Sequence, residues 1–370
     1  MKIDRVVLQR VKMTMREPFE TSFGIELVKE FFLVRIYSDG IMGIGECGAS
    51  NEPFYLEETN ASVHYVLKEF LIPRIFNFDF KSPWELGEVF RPVRGNYMAK
   101  SVLDAAIWDL FAKSADAPLF RYIGGTRTQI EVGISVGIQS SINGLVEKVR
   151  GYVDAGYKRV KVKIKPGYDL KPLGALREEF PELPLMADAN SAYGFEDLSL
   201  LKQLDDFGLG MIEQPLGYDD IYQHSLLAKE IATPICLDES IRNIGDLQEA
   251  YALGACSIVN LKMPRVGGIS ESIKIENFCK ENSMGLWCGG LLEAGIGRAF
   301  NVALTTLAGF NMPGDTAPSH RYFDKDIIDP EVIFSSPGMI AASELPGVGC
   351  HVDESTLDRF VVFSETFLPG

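Results

Sequence analysis

Short apolar runs recur along most of the chain, each followed by a stretch with apolar residues at helical spacing. Beyond residue 130 they read EVGISVGI, RVKVKI, LPLMADAN, GMIEQPL, TPICLDES, SIVNLKMP and MGLWCGG. The polar residue near the end of successive runs recurs at nearly constant intervals: Lys163, Asp188, Glu213, Asp238 and Lys262 lie 25, 25, 25 and 24 residues apart. A period of about 25 residues accommodates one strand, one helix and two short loops. Strands alternating with helices imply a parallel sheet. Seven or eight such units in line imply a closed β/α barrel, with chemistry at the C-terminal ends of the strands.

The flanks have other textures. Up to about residue 55 the runs IDRVVLQRVKM and FFLVRIYSD predict a strand-rich meander, with a turn at Asp39-Gly40. From about 58 to 124 the pattern is helical, as in SVLDAAIWDLFAKSA. Beyond about 325 the repeat fades into strand-like segments expected to return to the first region. These textures divide the chain into a capping domain over 1–125, a barrel over 126–324, and a segment over 325–370 that rejoins the cap.

Composition adds exclusions. The 370 residues are 46% hydrophobic and 24% charged, the balance of a globular protein able to bury a large core. A net charge of −15 argues against nucleic acid or an anionic membrane as partner. No run of about 18 apolar residues predicts a membrane span. The N-terminus lacks the apolar core of a signal peptide. Six cysteines without a CxxC pair read as reduced thiols, which points to the cytoplasm. The four histidines share no metal-ligand spacing, and no dinucleotide or Walker loop is evident; GIGRAF is only a weak glycine cluster.

Asp188, Glu213 and Asp238 each follow apolar strand residues. One such acid is ordinarily the N-cap of the next helix. Three at equal spacing point instead to one barrel mouth, where they would repel unless neutralised. An oxygen-only donor set favours Mg²⁺, with Mn²⁺ possible, over zinc. Lys163 precedes the first acid by one unit and Lys262 follows the last. Nearby cations, including Lys161 and Arg265, are expected to lower lysine pKa values, as a general base requires. The constellation suits abstraction of a proton next to a metal-bound carboxylate, with a small carboxylate as substrate. A Schiff-base aldolase would need only one of these lysines and none of the acids. A barrel that merely binds a metal and an acid remains a non-enzymatic alternative.

At these residues the chain resembles the enolase superfamily, in its muconate lactonizing enzyme subgroup. The KxK pair Lys161 and Lys163, Asp188 in DAN, Glu213 in EQP, Asp238 in DES and Lys262 in LKMPRVGG carry the resemblance over nearly the whole chain. It implies an α/β fold, a modified (β/α)7β TIM-like barrel with an α+β capping domain, and a homo-oligomer. REPFETSFG and GGLLEAGIGRAFN narrow it to the family of o-succinylbenzoate synthases and N-succinylamino acid racemases. That family implies Lys163 and Lys262 as catalytic groups and Asp188, Glu213 and Asp238 as metal ligands. It also implies substrate contacts at Lys161, Ser135, Asn190, Gly290 and Leu291, and a lid carrying Phe19 and Phe23. Expected activities are dehydration to o-succinylbenzoate, on the way to menaquinone, and racemisation of N-succinylamino acids. A dedicated N-acylamino acid racemase, a dipeptide epimerase and a cycloisomerase are the alternatives. Epimerases carry an Asp-x-Asp where this chain has Asp315 alone, and a His base would have only His320. KMPRVGG departs from the family's KPGRVGG, so Met263 and Pro264 are expected to alter the local backbone.

Overall fold

Two strand textures become two separate sheets in the structure, a computed structural model that describes residues 1–22 and 24–370. The first sheet is antiparallel: β1 (Arg5–Glu20), β2 (Ile25–Ser38) and β3 (Ile41–Glu46) follow one another as a meander. Asp39 (φ 50°) and Gly40 (φ 80°) are both left-handed, the requirement of a two-residue hairpin turn matched to strand twist. The C-terminal strand Val361–Phe367 pairs antiparallel with the outer edge of β1.

β2 is buried on both faces, for different reasons. Phe32, Val34 and Ile36 pack into the cap core together with helix α1 (Tyr97–Ser114). Phe31 and Leu33, on the alternate positions, join the core shared with the barrel. Gly43 and Gly45 of β3 let α1 lie directly on the sheet, because a Cβ at either would stand 2.1 Å from a helix carbonyl oxygen.

The second sheet is parallel and runs in chain order. It comprises β4 (Ile134–Val136), β5 (Val160–Lys163), β6 (Leu185–Asp188), β7 (Ile212–Glu213), β8 (Ile235–Leu237), β9 (Ile258–Leu261) and β10 (Gly285–Cys288). An extended segment supplies the eighth stave. Asp315 N donates to Cys288 O (2.8 Å) on one side, and Gly133 N donates to Gly314 O (2.7 Å) on the other. Seven strands and this segment close the (β/α)7β barrel. Helix α2 (Gly295–Thr305) follows β10, and its first turn is held by the cap: Glu46 accepts from Ala294 N (2.7 Å) and Gly297 N (2.8 Å).

Alternation along β5 now acquires a meaning. Val160 and Val162 belong to the core beneath the helices. Lys161 and Lys163 face the lumen and are buried as well. The polar face of this strand is not wet; it looks onto other strands' carboxylates.

Candidate active site

The three acids stand at the C-terminal ends of β6, β7 and β8, and each is essentially buried. They do not cap the helices that follow. That task falls to residues such as Asn243, whose side chain accepts from Gly245 N and Asp246 N. Lys161 Nζ lies between Asp188 Oδ2 (2.8 Å) and Glu213 Oε2 (2.7 Å). Lys163 Nζ donates to Asp188 Oδ2 (2.7 Å) and Asn190 Oδ1 (2.6 Å). Lys262 Nζ, two units beyond Glu213, donates to Asp238 Oδ2 (2.7 Å). Thus the two lysines flank the row of acids from β5 and from the end of β9.

The local backbone is bent to present these groups. Asn190 (φ 43°), Ser191 (φ 61°) and Gln214 (φ 37°) take left-handed conformations just beyond β6 and β7. Such conformations persist where the surroundings over-determine them. Gln214 does so by stitching two strand ends together. Its Oε1 accepts from Asp238 N (3.0 Å), and its Nε2 donates to Gly217 O (2.9 Å). After Lys262, Met263–Val266 forms a short helix with Pro264 in its first turn, where a missing N–H costs nothing.

Burial and charge set the protonation tendencies. Burial would raise the Asp188 carboxyl, but Lys161 and Lys163 outweigh it and hold it well below the usual range. Burial lowers the Lys163 ammonium, with Asp188 opposing; the neighbouring cation Lys161 contributes less than burial does. Lys262 departs from the expectation drawn from Arg265. Burial alone would lower it, yet Tyr55 and the carboxylates of Glu239 and Glu213 raise it above its ordinary value. Arg265 is turned toward Asp238, Ile241 O and Tyr55, so its charge is already engaged.

A cavity of about 170 Å³ opens over this cluster. Lys161, Lys163, Lys262, Ser135, Asn190, Gly290, Leu291 and Phe19 all line it. Phe23 lies outside the described residues. The hairpin tip beyond β1 docks on the mouth, where Ser22 Oγ donates to Asn190 O (3.2 Å) and Ile138 N donates to Glu20 O (3.1 Å). Lys165 meets Glu20 of the same hairpin at 3.4 Å, at the rim. His320 is exposed, and its carbonyl accepts from Arg16.

Four further residues shape the site without a periodic signal. Tyr55, from the cap, donates to Asp238 Oδ1 (3.0 Å) and accepts from Lys262 Nζ (3.1 Å). Asp315 accepts from Ser135 Oγ (2.6 Å) and pairs with Arg159 (2.7 Å). Burial would raise Asp315, but Arg159 and Lys161 hold it at about 2. Glu239 receives a hydrogen bond from Asn190 Nδ2 (3.1 Å), its Oε2 has no partner, and burial pushes its carboxyl up to about 7. Lys29 reaches the cavity from β2.

Lysine and arginine cations stand between the acids, and among the described residues no three His, Cys, Asp or Glu side chains meet in a metal-holding group. The donor chemistry nonetheless fits a hard divalent cation. Asp188, Glu213 and Asp238 offer only oxygens from adjacent strand ends, and the unpartnered buried Glu239 Oε2 adds a further acceptor beside Asp238.

The fold and site define a capped β/α barrel whose strand ends carry a row of acids between two lysines. The chain belongs to the enolase superfamily, in the branch of mandelate racemase and muconate lactonizing enzyme. Residues 3–124 match the mandelate racemase / muconate lactonizing enzyme N-terminal domain, and residues 144–356 match the enolase C-terminal domain-like family. An o-succinylbenzoate synthase of Geobacillus kaustophilus is 47% identical over 99% of this chain and 97% of its own. An N-succinylamino acid racemase of Thermus thermophilus is 41% identical, covering 98% of each chain. The crystal structure of an enolase superfamily member from Listeria innocua superposes with a TM-score of 0.97 at 41% identity, covering all of both chains.

Proposed function

We propose that the chain is an o-succinylbenzoate synthase that also racemises N-succinylamino acids. The observation that carries this reading is the placement of two buried ammonium groups, Lys163 and Lys262, on either side of the acids and in the wall of one cavity. Full-length relatives bearing each of the two names support it.

In this reading Asp188, Glu213 and Asp238 hold a divalent cation, Mg²⁺ or Mn²⁺, which supplies positive charge to a substrate carboxylate as its α-proton leaves. Lys163 is the base. Its burial favours the neutral amine that must accept the proton. In the synthase reaction Lys163 removes the α-proton of a hydroxylated cyclohexadiene carboxylate. It then returns that proton to the departing hydroxide, so that water and the aromatic product form. Lys262 stays charged throughout, consistent with its raised pKa, and stabilises the enediolate. In racemisation Lys163 and Lys262 exchange the α-proton from opposite faces. Phe19 and the hairpin tip cover the substrate, and Ser135, Asn190, Lys161, Gly290 and Leu291 orient it. A dipeptide epimerase is less well supported, because Asp315 is already committed to Arg159 and Ser135.

Six unpaired, buried cysteines support a cytoplasmic location. No helix among the described residues is long and apolar enough to cross a membrane. A homo-oligomer remains part of the proposal through the family alone. Turnover of the cyclohexadiene substrate and of both enantiomers of an N-succinylamino acid, measured side by side with Mg²⁺, tests the reading. Absence of turnover on both substrate types would overturn it.

A further inference from the structure

One buried charged group in the cavity wall has no partner among the described residues. Lys29 stands opposite Met13 on β1, on the face of β2 that carries Phe31 and Leu33 toward the barrel. It is 3% exposed, and among the described residues its ammonium makes no hydrogen bond and no ion pair. The other buried lysines are matched: Lys161 and Lys163 with Asp188, and Lys262 with Asp238. An ammonium on so little exposed a residue, opening only onto a cavity, is well placed to receive an anion there. Because Lys29 lines the same cavity as those three lysines, that anion has a place to come from.

The cavity therefore has two cationic regions, one at the barrel strand ends and one in the cap. Phe19, Ile25 and Leu291 contribute apolar surface to the same wall. Glu26 and Glu52 also line the cavity, but neither pairs with Lys29, and both are partly or fully exposed. A substrate with one carboxylate would leave Lys29 unpaired. A substrate with a second carboxylate at the end of a short flexible arm would satisfy both regions. We infer that Lys29 receives the remote carboxylate of the substrate's acyl arm, so that the cap selects dicarboxylates. This deepens the proposed function and rests on it, since a succinyl arm ends in such a carboxylate.

The test compares wild type, Lys29→Met and Lys29→Arg, each with Mg²⁺, on an N-succinylamino acid and on its analogue whose terminal carboxylate is replaced by the isosteric amide. Calorimetry gives affinity and proton exchange gives turnover. Wild type is expected to bind the succinyl compound about tenfold or more tightly than the amide, as a charge-assisted contact requires. Lys29→Met should lose that preference by weakening the succinyl compound alone, and Lys29→Arg should retain most of it. Equal weakening of both compounds, or no weakening of either, overturns the assignment. If wild type binds but turns over neither this compound nor the synthase substrate, the proposed function fails, while the calorimetric preference still decides the role of Lys29. If wild type binds neither compound, both fail.

Discussion

The Tyr55 hydroxyl lies 3.1 Å from Lys262 Nζ, and the same ammonium sits 4.4 Å from the Tyr55 ring centroid. One residue of the cap thus fixes a lysine of the barrel by a hydrogen bond and by its ring face. Tyr55→Phe keeps the ring and removes only the hydroxyl. A hydrogen bond to a charged group contributes about 1.5–3 kcal/mol, so proton exchange at the face served by Lys262 should fall about ten- to a hundredfold. Exchange at the face served by Lys163 should fall much less. Deuterium incorporation from each enantiomer of an N-succinylamino acid measures the difference, and equal losses from both enantiomers would remove Tyr55 from this role.

Lys163→Ala should abolish dehydration and racemisation together, with a loss of at least about 10²- to 10⁴-fold. The fold should survive, because Asp188 retains its contact with Lys161 at 2.8 Å. A cooperative thermal transition with no turnover is the expected result. Substantial synthase activity in this variant would contradict the assignment of the base.

The barrel and its acids are legible in the sequence because each β/α unit writes one strand end into the chain about every 25 residues. Lys163, Asp188, Glu213, Asp238 and Lys262 sit at that one position of the repeat. Tyr55 has no such register. It reaches Lys262 across 207 residues of chain, from a cap loop with no periodicity. Lys29 is hidden differently. Alternation assigns it a face of β2, but both faces of that strand are covered, so the pattern does not say which cover holds the site. The raised pKa of Lys262 also escapes sequence reasoning, because Arg265 is neighbouring in the chain yet spends its charge on Asp238.

Chelation should separate activity from folding. Lys161, Lys163, Lys262 and Arg265 already pair with Asp188, Glu213 and Asp238, so the acids are not left to repel one another. Treatment with EDTA is expected to eliminate turnover while preserving a cooperative melt. Mg²⁺ or Mn²⁺ should restore activity better than Zn²⁺, if the proposed donors, all carboxylate oxygens, hold the cation. Full turnover after exhaustive chelation would count against the cation.

Glu46 offers a pH-dependent test of how cap and barrel are joined. It is fully buried at the start of α2, and burial pushes its carboxyl from 4.5 up to about 8, against the backbone N–H groups of Gly297 and Ala294 that favour the charged form. Folded protein therefore keeps this proton to about pH 8, whereas the unfolded chain releases it near 4.5. The native state binds more protons across that window, so this group's contribution makes stability fall as pH rises, by up to about 1.4 kcal/mol per unit. Glu46→Gln imitates the protonated side chain and cannot ionise. Urea unfolding at pH 5 and pH 8 should show a smaller loss of stability in the variant than in wild type. Its stability at pH 5 should lie within about 1–2 kcal/mol of wild type, since one carbonyl acceptor remains for the helix N–H groups. Identical pH slopes for the two proteins would show that Glu46 is ionised in the folded state and that its two hydrogen bonds outweigh its burial.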